Sequence, residues 1–182
     1  AAPAPKPDHA LANALAWFAS IREMVARLKT ARTAEATADA ADYGDTDGEA
    51  YKAREDAEQR IHESVLSVEV RGDWAPPIDY ENSREGARPV EYRILLSTGG
   101  PALQLRGELD EHGEPESAML QMQDWFRPWT DVPKAELARA LDATAKWGEK
   151  FGDPILAGVP TAFDNVDSML LAFARQFYFG AG

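Results

Sequence analysis

The chain contains no cysteine. Disulfides, thiolate nucleophiles, iron–sulfur clusters and cysteine-bound zinc are therefore excluded. Long apolar runs are also missing. No stretch approaches the roughly 20 residues that a spanning helix needs, so no membrane is expected among the partners. Positive charge is scarce, with 19 Lys and Arg against 31 Asp and Glu, for a net charge of −12. Binding to a phosphate backbone depends on Lys and Arg displacing counterions, so direct nucleic-acid binding is not expected. An acidic chain can repel nucleic acid or imitate it, and its acidity can equally serve solubility alone. Histidine is limited to His9, His62 and His112, which lie far apart and in no nucleophile or metal signature.

What remains is ample material for a core. In 182 residues, 45% are hydrophobic, including five Trp, seven Phe and five Tyr, which argues for a folded chain rather than a disordered one. That length suits a single domain over residues 9–182. Residues 1–8, rich in Ala and Pro, read as a flexible leader with no hydrophobic stretch of signal-peptide type.

Asp8 is a good N-cap, and Leu11, Leu15, Phe18, Ile21, Val25 and Leu28 then recur on one helical stripe, broadened by Trp17 and Met24. This spacing predicts a helix over about 9–30, with an Ala-rich continuation towards Ala41. The Tyr43–Gly48 segment breaks it, and a second helix over about 49–64 turns a small face, Ala50, Ala53, Ala57 and Ile61, towards the first. Residues 9–64 thus read as a helical hairpin. Its first helix is locally basic, whereas residues 35–63 hold ten acidic side chains and three Lys or Arg.

From Leu66 the period changes to two, with Leu66, Val68 and Val70 facing one way. Residues 72–89, with Trp74, Pro76, Pro77 and Gly86, read as a long loop. Tyr92, Ile94 and Leu96, then Leu103, Leu105 and Leu109, then Ala118, Leu120 and Met122 continue the alternation across turns at 98–101 and 110–115. The expectation over 65–131 is an antiparallel meander of about four strands, with one aliphatic face. The wetter face carries Arg93, Gln104, Arg106, Glu108, Gln121 and Gln123. Asp131 and Pro133 are expected to open a third helix, with Leu137, Leu141 and Ala145 inward. Gly148–Pro160 reads as irregular. A last helix carries Val166, Met169, Leu170, Phe173, Ala174 and Phe177, a stripe suited to cover the aliphatic sheet face. Residues 132–182 are thus C-terminal helices, and the fold class is α+β.

The chemistry of sites is sparse. Asp45-Thr46-Asp47-Gly48 looks like part of a calcium loop, but Tyr43 and Arg54 occupy the first and twelfth ligand positions, so a solvated turn is preferred. Glu108, Asp110, Glu111, His112, Glu114 and Glu116 have the donor types for a divalent metal, yet they sit where a charged hairpin tip belongs. Ser97 and Ser117 are in no nucleophile elbow, and Thr98-Gly99-Gly100-Pro101 lacks the Lys and helix of a phosphate loop. No cofactor, no metal and no enzymatic activity are expected. Trp74, Trp125, Phe126 and Trp129 form an aromatic cluster, read here as a plug at the end of the sheet rather than as a recognition surface.

The run Glu91–Ala102, the run Gly107–Pro115, then Gln123-Asp124-Trp125 and Pro128-Trp129-Thr130, with the ending Ala174–Gly180, resembles a group of phage and prophage accessory proteins without an assigned activity. The resemblance spans roughly residues 64–131 and 166–180. It implies a cytoplasmic life in a host bacterial cell. It also implies the company of small acidic inhibitors, of anti-CRISPR or anti-restriction type, some of which imitate DNA. On that implication the expected partner is a host protein or protein–nucleic-acid complex. The residues expected to meet it are Asp45, Asp47, Glu49, Glu55, Glu58, Glu111, Glu114 and Glu116. Two alternatives stand beside it. One is a small-ligand binder or enzyme using the polar sheet face, with Arg93 and Arg106 gripping an anion. The other is a structural phage component associating through helix 9–30.

Overall fold

A computed structural model describes residues 8–40, 48–72, 88–157 and 165–180. Among these residues the chain is α+β, with five helices and one five-stranded antiparallel sheet. The leader, the loop expected at 72–89 and the break at 43–48 fall largely or wholly outside the described residues.

Helix α1 runs from His9 to Ala40, so the Ala-rich continuation is part of the helix. Asp8 caps it as expected, its Oδ1 accepting from the Leu11 amide at 3.0 Å. At about 1.5 Å per residue, α1 is about 48 Å long. Its buried stripe is Ala10, Ala14, Phe18, Ile21, Val25 and Leu28, with Met24 and Ala31 beside it. In the first two turns the contact therefore falls on alanines, and Leu11 and Leu15 flank it half-buried, because the small side chains allow the closest approach. Helix α2, Glu49–Glu63, folds back on α1. Arg54 reaches Glu35 and Arg32 reaches Glu58, a pairing that runs in opposite directions along the two helices. Of the expected small face on α2, only Ile61 is fully buried; Ala50 and Ala57 are half-buried and Ala53 is exposed.

The sheet consists of β1 (Ser67–Gly72), β2 (Pro89–Ser97), β3 (Ala102–Glu108), β4 (Met119–Gln123) and β5 (Thr130–Asp131), in sequential order. The two-residue β5 is one strand more than expected. On the inner face, Ile94, Leu105 and Leu120 lie in register across β2, β3 and β4, where they share one core cluster with side chains of α1 and of residues 166–174. Tyr92 stands opposite Gly107, and its hydroxyl donates to the Ser117 carbonyl at 2.7 Å. A Cβ on Gly107 would lie 1.9 Å from that same carbonyl oxygen, so this close approach demands glycine.

Two expectations for the sheet are corrected. Leu66, Val68 and Val70 have the alternation of an inward row, but all three are exposed, because β1 is the edge strand and the helices cover the strands beyond it. Gln104, placed on the wetter face, is 4% exposed.

Helix α3 spans Lys134–Phe151 and buries Leu137, Leu141 and Ala145 as expected. Pro133 is its N-cap, whereas Asp131 belongs to β5 and turns its carboxylate to Gln121. The irregular stretch expected from Gly148 begins later, since α3 continues to Phe151 and a short α4, Pro154–Ala157, follows. Gly148 does not break the helix. It lets α4 approach until a Cβ would lie 2.4 Å from the Ala157 nitrogen. Helix α5, Val166–Ala174, opens with a capping box between Asn165 and Ser168 and buries Val166, Met169, Leu170, Phe173 and Ala174. Both α5 and α1 pack on the sheet, so the cover expected of the last helix alone is shared.

One charge lies inside this packing. Arg22 on α1 is 1% exposed. Its Nη1 donates to the carbonyls of Ala140 and Leu141 on α3, each at 3.4 Å, and its Nε has no partner. Burial lowers its pKa to about 10.

Candidate functional site

The acidic residues singled out by the sequence fall in two places. Asp45 and Asp47 lie outside the described residues. Glu49, Glu55 and Glu58 are on α2, and the three differ in what they offer. Glu49 is exposed in the first turn, where a carboxylate complements the helix dipole. Glu55 accepts from the Tyr51 hydroxyl at 2.9 Å, a bond that raises the tyrosine's pKa. Glu58 is held by Arg32 at 2.9 Å and Arg54 at 2.7 Å, so its charge is answered within the chain.

Glu111, Glu114 and Glu116 decorate the β3–β4 hairpin. Asp110 braces this tip. Its Oδ1 accepts from the amides of His112 at 2.8 Å and Glu114 at 2.9 Å, the local geometry that makes Asp a turn residue. Those backbone bonds, Glu114's first, hold the Asp110 carboxyl below its ordinary pKa. Gly113 takes the left-handed conformation the turn requires, at φ 78°. The neighbouring Glu111, Glu114 and Glu116 are exposed, and among the described residues Glu114 and Glu116 have no cationic partner.

The C-terminal segment joins the two acidic places. Arg175 donates twice to the Pro115 carbonyl, at 3.2 and 3.3 Å. The next residue, Gln176, accepts from Arg32 at 2.8 Å and meets His62 Nε2 through its carbonyl at 2.7 Å, while Phe177 stacks on the His62 ring. The hairpin tip and the C-terminal end of α2 are thus fastened to adjacent residues. Glu49 stands 13 residues from His62, about 20 Å away along the helix. It belongs to a different part of the surface.

The polar face of the sheet carries a further group of charged side chains. Its side chains form cross-strand rows: Glu69, Arg93 and Arg106 in one, Arg71, Glu91 and Glu108 in the next. Arg93 pairs with Glu69, and Glu91 takes both Arg71 and Arg106, the latter at 2.7 Å. The hydrogen bond from Arg106 is the main reason that Glu91 titrates below its ordinary range, and the bond from Arg93 does the same for Glu69. A third row contains Gln104, Gln121 and Asp131, linked by Gln104 Nε2 to Gln121 Oε1 at 2.8 Å and Gln121 Nε2 to Asp131 Oδ1 at 2.9 Å. Between these rows lies a cleft of about 460 Å³, whose wall includes Trp129.

The aromatic cluster is not a plug. Trp125 sits at φ 46° with its indole against Gly100, and it is exposed, while Phe126 is wholly so. Trp129 is half-buried and Trp74 lies outside the described residues. Ser97 Oγ is buried without a hydrogen-bond partner, and Ser117 Oγ accepts from the Glu108 amide at 3.0 Å. Among the described residues no three His, Asp or Glu side chains gather as a metal site would require, and no helix is long and apolar enough to cross a membrane. Comparison with protein-family models, with curated proteins and with solved structures finds no match.

Proposed function

We propose that this chain is an interaction protein, of the kind encoded by phages, that binds and inhibits a host defence or nucleic-acid-processing complex. Its hairpin-tip carboxylates meet a basic surface of that partner. The observation that carries the reading is the presentation of Glu111, Glu114 and Glu116 on a turn braced by Asp110 and fastened to Arg175. Carboxylates held on a braced turn, with no guanidinium of their own among the described residues, are the feature that imitation of a phosphate row requires. Glu49 and Glu55 on α2 add to the acidic field that steers association. Glu58 contributes less, because two arginines already engage it. The resemblance to phage and prophage proteins supports the class of partner.

The test is a tagged pull-down from bacterial lysate at low and high salt, with mass spectrometry of what is retained. A nucleic-acid-handling complex is expected at low salt and lost at high salt, because exposed charge pairs are screened. A variant with Glu111, Glu114 and Glu116 changed to Lys should lose it at low salt as well. Undiminished binding by that variant would refute the electrostatic reading.

A further inference from the structure

The sheet ends on one side in β5, two residues long, and on the other in β1, six residues long. Val68 and Val70 of β1 stand opposite Ile94 and Tyr92, so they belong to the face that carries the core, yet they are 36% and 48% exposed. Their main-chain groups are turned outward as well. The Val90 carbonyl accepts from the Leu109 amide, so Val90 faces β3 and the next residue, Glu91, faces β1. Arg71, opposite Glu91, then turns its N–H and C=O towards β2, as does Glu69, while Val68 and Val70 point theirs away from the sheet. Among the described residues no strand meets them. A bare edge of this kind invites pairing, and natural proteins usually guard one with Lys, Pro or a charge on the inward row. Ser67–Gly72 has none of these, since Glu69 and Arg71 lie on the outer face.

This edge is complementary to itself. Two antiparallel copies of β1 that keep their inner and outer faces together, and bring their outward main-chain groups to meet, are centred on Val68, Glu69 or Val70. Centred on Glu69, the two copies of that carboxylate stand opposite each other, which like charges disfavour. Centred on Val68, Glu69 meets Ser67 and Arg71 meets Val65. Centred on Val70, Glu69 of each copy meets Arg71 of the other. Glu69 already pairs with Arg93, and Arg71 with Glu91. The last register therefore continues an alternation, from Arg93 and Glu69 of one copy to Arg71 and Glu91 of the other. A carboxylate between two guanidiniums is an arrangement the sheet already holds, in Glu91 between Arg71 and Arg106. On the inner face the same register sets the two copies of Val70 against each other, with Val68 beside them opposite Gly72. The opposite edge, β5, is too short to offer β1 a ladder, so the pairing closes as a two-fold dimer instead of growing head to tail.

We propose that two copies of this chain pair antiparallel through β1, about a two-fold axis at Val70, and join their sheets into one. The hairpin tip lies between β3 and β4, away from this edge, so the dimer stands or falls independently of the partner proposed above.

The experiment is sedimentation velocity of the full chain from about 5 to about 500 μM, a range that spans weak and firm dimers. The parent is expected to sediment as a dimer at the upper end. Val70→Lys, which sets two ammonium groups face to face at the axis, should stay monomeric throughout. Because the chain has no cysteine, a single Cys reports the register without adding charge. Val70→Cys brings two thiols onto the axis, where opposite Cα atoms lie about 5.5 Å apart, within the disulfide range of about 4.4–6.8 Å. It should form a covalent dimer on air oxidation. Val68→Cys holds its two thiols out of step by about 13 Å along the strands and should not cross-link. The proposal is overturned if the parent is monomeric at the highest concentration, or if Val70→Lys dimerises as the parent does. It is equally overturned if Val70→Cys cross-links no better than Val68→Cys.

Discussion

Leu105 and Arg106 are neighbours in β3, yet they live in different solvents. Leu105 is wholly buried between Ile94 and Leu120 under the helices, whereas Arg106 is about half-exposed beside Glu91. The pleat puts successive side chains on opposite faces, so a single strand carries the hydrophobic core on one side and a charge lattice on the other. The inner face supplies stability through area removed from water. The outer face supplies little, since exposed ion pairs typically contribute about 0–1 kcal/mol. A row of paired charges on that face is therefore free to be shaped by recognition.

The contrast can be broken by substitution. Leu105→Ala is expected to cost about 2–5 kcal/mol in urea unfolding, the range for deleting a buried aliphatic side chain. Gly107→Ala, at the junction of the two faces, places a methyl group against the Ser117 carbonyl and the Tyr92 ring. It should cost about 1–3 kcal/mol, the usual penalty for overpacking. Arg106→Ala should cost no more than about 1 kcal/mol. A loss equal to that of Leu105→Ala would mean that the outer face is part of the core.

Acid titration sharpens the comparison in a different way. Glu69 and Glu91 titrate below the ordinary 4.5 in the folded chain, held there by arginine hydrogen bonds. As pH falls through 4.5 the unfolded chain takes up these protons first. The stabilisation is present above that pH and is lost as pH falls through the lower folded values. In Glu91→Gln the acid limb of the stability profile should be shallower, because the variant is less stable than the parent near neutrality and converges with it at low pH. An acid limb identical to the parent's would show that the outer lattice does not couple to folding.

Much of this arrangement was legible in the sequence, for reasons that also explain the misses. The alternation through Tyr92, Ile94 and Leu96 reports the pleat, and the stripe through Phe18, Ile21, Val25 and Leu28 reports the helix turn. Periodicity reports direction but not cover, so Leu66, Val68 and Val70 looked inward although the edge strand lies beyond the helices. Glycine reads as a breaker by default, yet Gly148 serves the contact between α3 and α4. Aromatic residues read as core, yet Trp125 and Phe126 sit on a turn. Gln104 is indistinguishable in sequence from Gln121 and Gln123, since nothing local marks which amide the fold will bury. The hairpin-tip carboxylates were legible as a tip. Their fastening through Arg175 to Pro115 was not, because those residues are 60 apart in the chain.

Arg22 has a consequence for alignment. An aliphatic stripe is made of nearly interchangeable teeth, and two such helices can close one turn out of step at small cost. A guanidinium with two carbonyls to find, those of Ala140 and Leu141, has only one place to stop. As a buried charge with no carboxylate paired to it among the described residues, it gives away stability to do so. Arg22→Met should therefore unfold at higher denaturant concentration, by about 1–4 kcal/mol, while its amide spectrum shows more than one setting of α1 against α3. A stabilised variant with a single sharp spectrum would mean that the hydrophobic teeth alone suffice to index the two helices.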